Sequence, residues 1–146
     1  MGLWGTMMAY NVLIVDDSAT MRALVRKVLQ ISGLELGECF EGANGLEALE
    51  ILENHWVDLV LSDLHMPEMD GAALVKALRQ SQMWQTIPVV LITTEGRQDV
   101  LAPFFEAGIQ GYIRKPFRPE DIKEQLQNIL GEAWVPDDRE LKGCDF

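Results

Sequence analysis

Apolar residues fall along this chain in two alternating patterns. Short continuous runs read as strands buried on both sides, and stretches with apolar residues three and four apart read as helices with one inward face. Val12–Val15 is a β-branched run. From Ser18 the period changes, and Met21, Leu24, Val25, Val28 and Leu29 share a helical face that Gly33 brings to a stop. Leu34–Phe40 is a weaker strand punctuated by Glu, as at a sheet edge. Asn44, with Glu47 three residues later, looks like a helix cap, and Leu46, Leu49 and Leu52 continue inward from it. Val57–Leu61 is the next strand, and Gly71–Ser81 the next helix, with Leu74, Ala77 and Leu78 inward. Val89–Ile92 is a fourth strand, Gln98–Ala107 a fourth helix ended by Gly108, and Gly111–Ile113 a short fifth strand. Pro119, followed by Glu120 and Asp121, opens the last helix; Ile122, Leu126, Ile129 and Leu130 form its buried face and Gly131 ends it.

Five repeats of strand then helix predict an α/β fold, a doubly wound parallel sheet with helices on both faces. The 146 residues suit one domain. Its expected bounds are 10–131, with a loose N-terminal extension over 1–9, where Met7 or Met8 offers another start, and an acidic tail over 132–146 in which Trp134 could dock on the domain. With 48% hydrophobic residues the chain is globular, and no apolar run approaches a membrane span. The N-terminus has no signal-peptide pattern. Cys39 and Cys144 make no disulfide framework, so a reducing cytoplasm is the expected setting. The net charge of −11 argues against direct nucleic-acid binding.

The chemistry collects at the strand ends. The first strand runs into Asp16 and Asp17, the third into Asp63, the fourth ends at Thr93, and the fifth is followed by Lys115 and Pro116. In an open α/β sheet, ligands bind outside the carboxyl ends of the strands. Three acids, a hydroxyl and an ammonium placed there suit a divalent cation and a phosphoryl group. Taken alone, Asp16, Asp17 and Ser18 could simply cap the first helix, and Lys115 could be an ordinary surface lysine.

Asp16-Asp17, the D-x-x-M-P-x-x-D-G stretch from Asp63 to Gly71, Thr93 and Lys115-Pro116 together resemble the receiver domain of two-component response regulators, over about Asn11 to Leu130. The segment Asp16–Arg22 is especially similar to the single-domain, CheY-like members. The resemblance implies a flavodoxin-like five-stranded sheet in the order 2-1-3-4-5. It further implies that Asp63 accepts a phosphoryl group from a sensor histidine kinase or phosphotransfer protein. Magnesium, which manganese can replace, would be held directly by Asp17 and Asp63, through water by Asp16, and by the backbone carbonyl of His65. Thr93 and Lys115 would bind the phosphoryl oxygens. Thr93 and Tyr112 would form the switch, which controls an output partner on the face of the fourth helix, fifth strand and fifth helix. The side chains of His65, Thr94 and Glu95 would tune how fast water reaches the acyl phosphate, and the bond before Pro116 would be cis. His55, near a helix end, is expected to be solvated.

Two positions depart from the family pattern. Thr94 stands where a smaller residue is usual, and Pro103 falls inside the fourth helical segment, so that helix should start late, near Leu101, or kink. Of Phe104 and Phe105, one should be core and one exposed. Besides a binding switch, with chemotaxis as one setting for it, the pattern leaves open a phosphate sink, an intermediate in a phosphorelay, or a small aspartate-nucleophile phosphatase. The last normally needs D-x-D after the first strand, and here the pair is adjacent. A nucleotide or flavin module lacks its Gly-rich loop.

Overall fold

The computed structural model describes residues 9–130, and these form one parallel sheet flanked by helices. The order along the chain is β1 (Tyr10–Val15), α1 (Ala19–Ile31), β2 (Leu36–Gly42), α2 (Gly45–Asn54), β3 (Leu59–Ser62), α3 (Gly71–Gln80), β4 (Val89–Thr93), α4 (Gln98–Glu106), β5 (Gly111–Arg114) and α5 (Pro119–Leu130). The strands lie in the order β2-β1-β3-β4-β5, all parallel. The expected fold class and strand order are therefore observed. The expectations for residues 1–8 and 131–146, including the Gly131 stop and the Trp134 contact, lie outside the described residues.

Alternation along the strands splits the core into two layers, as the two-residue strand period requires. Val12, Ile14, Leu59, Leu61, Val90, Ile92 and Ile113 face α1 and α5. Leu13, Val15, Val60, Val89 and Leu91 face α2, α3 and α4. The caps follow sequence chemistry. Ser18 accepts from Met21 N at 3.1 Å, and Asp70 accepts from Ala73 N at 2.9 Å. Asn44 accepts from Glu47 N at 2.9 Å while the Glu47 carboxylate accepts from Ala43 N at 2.9 Å. Gly33 and Gly108 follow their helices with φ of 89° and 93°, a region open to glycine.

Several expectations need correction. Leu46 is not inward; it is 54% exposed, and α2 buries Ala48 and Leu52 instead. The cap at Asn44 sets the phase of the helix and turns position 46 to solvent. In α3 Leu74 and Leu78 are core as expected and Val75 joins them, while Ala77 is only half-buried. The edge strand runs two residues later than its hydrophobicity suggests. Leu34 is buried as a loop residue, and pairing of Val15 with Gly42 carries β2 to its end. Pro103 does not delay α4, which begins at Gln98 and contains it. The proline supplies no N–H for the Asp99 carbonyl, but it lies on the exposed side, and Leu101 and Phe104 still reach the core. Phe104 is core and Phe105 is 50% exposed, as the pair suggested. His55 is exposed and also stacks on Phe40, with ring centroids 4.5 Å apart.

Candidate functional site

The site lies where β1, β3, β4 and β5 end. Asp16 follows β1 directly, Asp63 follows β3, Thr93 is the last residue of β4, and Lys115 follows β5. Backbone bonds lock these ends together. Asp63 N donates to Val15 O at 2.8 Å, Asp16 N to Gly42 O at 3.0 Å, and Lys115 N to Thr93 O at 2.8 Å. Asp16, Asp63 and Lys115 are thus each the first position past the ladder, still hydrogen-bonded to a neighbouring strand, and Thr93 is the last position within it.

Asp16, Asp17 and Asp63 each offer a carboxylate oxygen within 4.8 Å of the other two. Asp16 is 4% exposed. Its Oδ1 accepts from Ser18 N at 2.9 Å and its Oδ2 from Lys115 Nζ at 2.7 Å. Asp63 Oδ1 accepts from Leu64 N at 2.7 Å, and its Oδ2 accepts from the same ammonium at 3.2 Å. Lys115 therefore bridges two of the three acids. Burial alone would lower its pKa, but the hydrogen bond to Asp16 and the charges of Asp63 and Asp16 outweigh that and raise it. The capping role considered for this segment falls to Ser18, whose own N–H donates to Asp16, so the turn and the ion pair of Asp16 coexist. Asp17 is exposed and has no hydrogen-bond or ion-pair partner among the described residues.

Three clustered carboxylates with one ammonium leave excess negative charge and hard oxygen donors, a set that fits magnesium. Asp17 is the acid whose charge no bonded cation offsets among the described residues. Asp17→Asn is expected to stabilise the metal-free protein by about 0.5 kcal/mol and to remove most of the rise in Tm that magnesium gives the wild type. Thermal unfolding with and without magnesium checks both; a metal-free Tm below wild type would contradict the repulsion argument.

Thr93 is fully buried, and its Oγ1 accepts from Glu95 N at 3.3 Å. The Tyr112 hydroxyl donates to the Glu95 carbonyl. The two expected switch residues thus meet at one residue, Thr93 at the N–H of Glu95 and Tyr112 at its carbonyl. Burial pushes the Tyr112 hydroxyl up. Glu95 itself is gripped by Arg97, whose Nε donates at 3.0 Å, and by the N–H groups of Arg97 and Gly96. Those bonds, Arg97 first, bring its pKa down to about 2. His65 Nε2 is 3.9 Å from Glu95 Oε1, and Thr94 is exposed. The Lys115-Pro116 bond is cis, as the resemblance implied.

Two contributors were not legible as such. Gly71 reads as a helix-opening turn residue, yet a Cβ there would stand 2.5 Å from Asp63 O and 2.9 Å from Leu64 Cα. It is needed because α3 begins against the backbone of the key aspartate. Arg22 looks like a polar residue on a helix, yet it donates to the Asp16 carbonyl at 2.6 Å. The pattern D-x-x-M-P-x-x-D-G carried a weak signal for Gly71; Arg22 closes the Asp16–Arg22 segment that carries the resemblance, but nothing in the sequence gave it a role.

Comparison with known proteins agrees with this geometry. The family model described as "Response regulator receiver domain" matches residues 12–127. The chain is 40% identical over 122 residues to the chemotaxis protein CheY1 of Helicobacter pylori, covering 83% of this chain and 97% of the relative. It is 37% identical to the chemotaxis protein CheY homolog of Campylobacter jejuni, covering 83% of this chain and 92% of the relative. It is similar to the solved structure of the chemotaxis response regulator CheY4 of Vibrio cholerae, with a TM-score of 0.75 at 34% identity, covering 84% of this chain and 99% of that one.

Proposed function

The chain belongs to the response-regulator receiver family and is a CheY-type response regulator, and from that premise we propose that Asp63 is its phosphoacceptor. The observation that carries the reading is the convergence of Asp16, Asp17 and Asp63 with Lys115 bridging two of them. A carboxylate oxygen of Asp63 attacks the phosphorus of a phosphohistidine on a sensor kinase or phosphotransfer protein. The new bond is O–P, the bond that breaks is P–N, and the imidazole departs with the electron pair.

Magnesium, held by Asp17 and Asp63, through water by Asp16, and by the His65 carbonyl, would offset the charge of the phosphoryl oxygens. Lys115 is already within reach of Asp63, and its ammonium moves onto a phosphoryl oxygen. The Thr93 hydroxyl donates to another, and a turn of Thr93 toward it would stretch the 3.3 Å bond that its Oγ1 accepts from Glu95 N. Because the Tyr112 hydroxyl holds the carbonyl of that same residue, a move of Thr93 and a move of Tyr112 are coupled through one short loop. That coupling would carry the signal to the face of α4, β5 and α5, where the exposed Phe105 stands ready for a partner. Glu95 and His65 flank the route by which water reaches the acyl phosphate, with Thr94 beside them. The chain's own chemistry would be limited to its phosphorylation and dephosphorylation, in a cytoplasmic pathway; among the described residues no helix is long and apolar enough to cross a membrane. The chemotaxis proteins it resembles make a chemotactic output the leading choice.

Intact-mass spectrometry after incubation with a small phosphodonor tests the reading. One phosphoryl adduct is expected, dependent on magnesium and lost in Asp63→Asn. An adduct that survives Asp63→Asn, or turnover of a generic phosphoester without any adduct, would overturn it.

A further inference from the structure

We propose that Arg22 is a positioning residue for the magnesium site, acting through the peptide bond that joins Asp16 to Asp17; the proposal rests on the reading of the acidic cluster as that site. Arg22 Nη1 donates to the Asp16 carbonyl oxygen at 2.6 Å. That oxygen belongs to the rigid plane linking the two acids, so fixing it fixes the direction in which Asp17 leaves β1. The other edge of the guanidinium is anchored on the edge strand, where Arg22 Nε donates to Glu41 Oε1 at 3.0 Å. Glu41 is held in turn, because its Oε2 lies 2.9 Å from Arg26 Nη2, which also donates to the Cys39 carbonyl at 2.7 Å. The Arg22 side chain is 17% exposed and Glu41 29%, so this is a half-buried clamp between α1, β2 and the acidic loop.

The two acids depend on this clamp unequally. Asp16 is pinned independently at its N–H, at Oδ1 and at Oδ2. Asp17 has no partner of its own among the described residues, and its placement is inherited from the peptide plane that Arg22 grips. Of the two, Asp17 is the one read as a direct ligand. A planar fork suits the task, since one edge must reach a carbonyl while the other meets a carboxylate.

The sign of the effect separates positioning from charge. As a bare cation near the site, Arg22 would repel magnesium, and its removal would tighten binding. As a positioning residue its removal loosens binding. Isothermal titration of the full chain with magnesium alone, beside the metal-free Tm, decides between them. Arg22→Met is expected to weaken magnesium affinity by about tenfold, the usual size for loss of a group that orients a ligand. Arg26→Met removes the other partner of Glu41 without touching the acidic loop, so it should lower the metal-free Tm and leave the affinity near wild type. Arg22→Lys should restore only part of the affinity, because an ammonium cannot span both acceptors. Should Arg22→Met fail to fold, Glu41→Gln, which keeps the Arg22 charge but slackens its anchor, should weaken magnesium binding to a smaller degree. Affinity unchanged or improved in the folded variants, with wild-type binding intact, overturns the role of Arg22. A wild type that binds no magnesium overturns the reading of the site itself and this proposal with it.

Discussion

Lys115→Met is expected to destabilise the metal-free protein by about 3 kcal/mol, the usual scale for leaving a buried charge without its partner. The ammonium is the only cation bonded to the carboxylates of Asp16 and Asp63 among the described residues, at 2.7 and 3.2 Å. All three side chains are nearly out of water, with exposures of 11%, 6% and 13% for Lys115, Asp16 and Asp63. Removing the ammonium leaves three carboxylates facing one another. The loss should therefore depend on conditions. Magnesium bound at these acids would supply the missing positive charge, so the rise in Tm on adding magnesium should be larger in Lys115→Met than in wild type. The linkage to pH has a definite sign. The folded pKa of Lys115 lies above its ordinary value, so its contribution is complete below the unfolded pKa and fades only as pH rises through the folded one. At neutral pH the full difference should be visible. Phosphorylation should slow by on the order of 100-fold, as for loss of one charge-stabilising donor. Denaturant unfolding and the rate of adduct formation are the measurements; equal stability of variant and wild type without metal would refute the bridging role.

Gly71→Ala is expected to cost about 3 kcal/mol through overpacking, even though alanine at a helix position would on propensity alone help by up to about 1 kcal/mol. The two effects have opposite signs, and the geometry decides between them. The added Cβ would stand 2.5 Å from Asp63 O and 2.9 Å from Leu64 Cα. These are backbone atoms, and a rotamer change cannot move them away. The bond from Gly71 N to Leu64 O, at 2.9 Å, holds the start of α3 against that loop, so relief must come from displacing Asp63 or lifting the helix. The first route should also slow phosphorylation, by on the order of 100-fold for a shift near 1 Å. A variant with wild-type stability and wild-type phosphorylation would show that the loop yields freely. A stability loss with normal phosphorylation would show that the helix moves instead.

The order of strands and helices was legible because it rests on local periodicity. Strands buried on both sides must be apolar throughout, so Val12–Val15 and Val89–Ile92 announced themselves, and the polar residue after each run marked a strand end. The caps at Ser18 and Asn44 and the stops at Gly33 and Gly108 are likewise set by neighbours in the chain. Local pattern failed at one position of α2, whose other apolar residues, Leu49 and Leu52, lie inward as read. Leu46 is apolar and correctly spaced, but the exact rotation of α2 against the sheet turns it to solvent. Pro103 breaks a local rule on the exposed side of α4, where the core does not feel it.

The sequence by itself determined which chemistry this protein holds: three acids, a hydroxyl and an ammonium, each at the end of a strand, because strand ends are the places where an apolar run must give way to polar residues. Only the tertiary structure decided how they act on one another. Lys115 meets Asp16 across 99 positions of chain, and that meeting exists because the sheet places β1, β3, β4 and β5 side by side with their ends flush. The same closure brings α3 so near Asp63 that position 71 has no room for a side chain, and swings Arg22 from a helix face onto the peptide between the two acids. Contacts of this kind depend on which surfaces the whole fold brings within a few ångströms. No periodicity records them, because periodicity fixes the face on which a residue lies and leaves open what that face will meet.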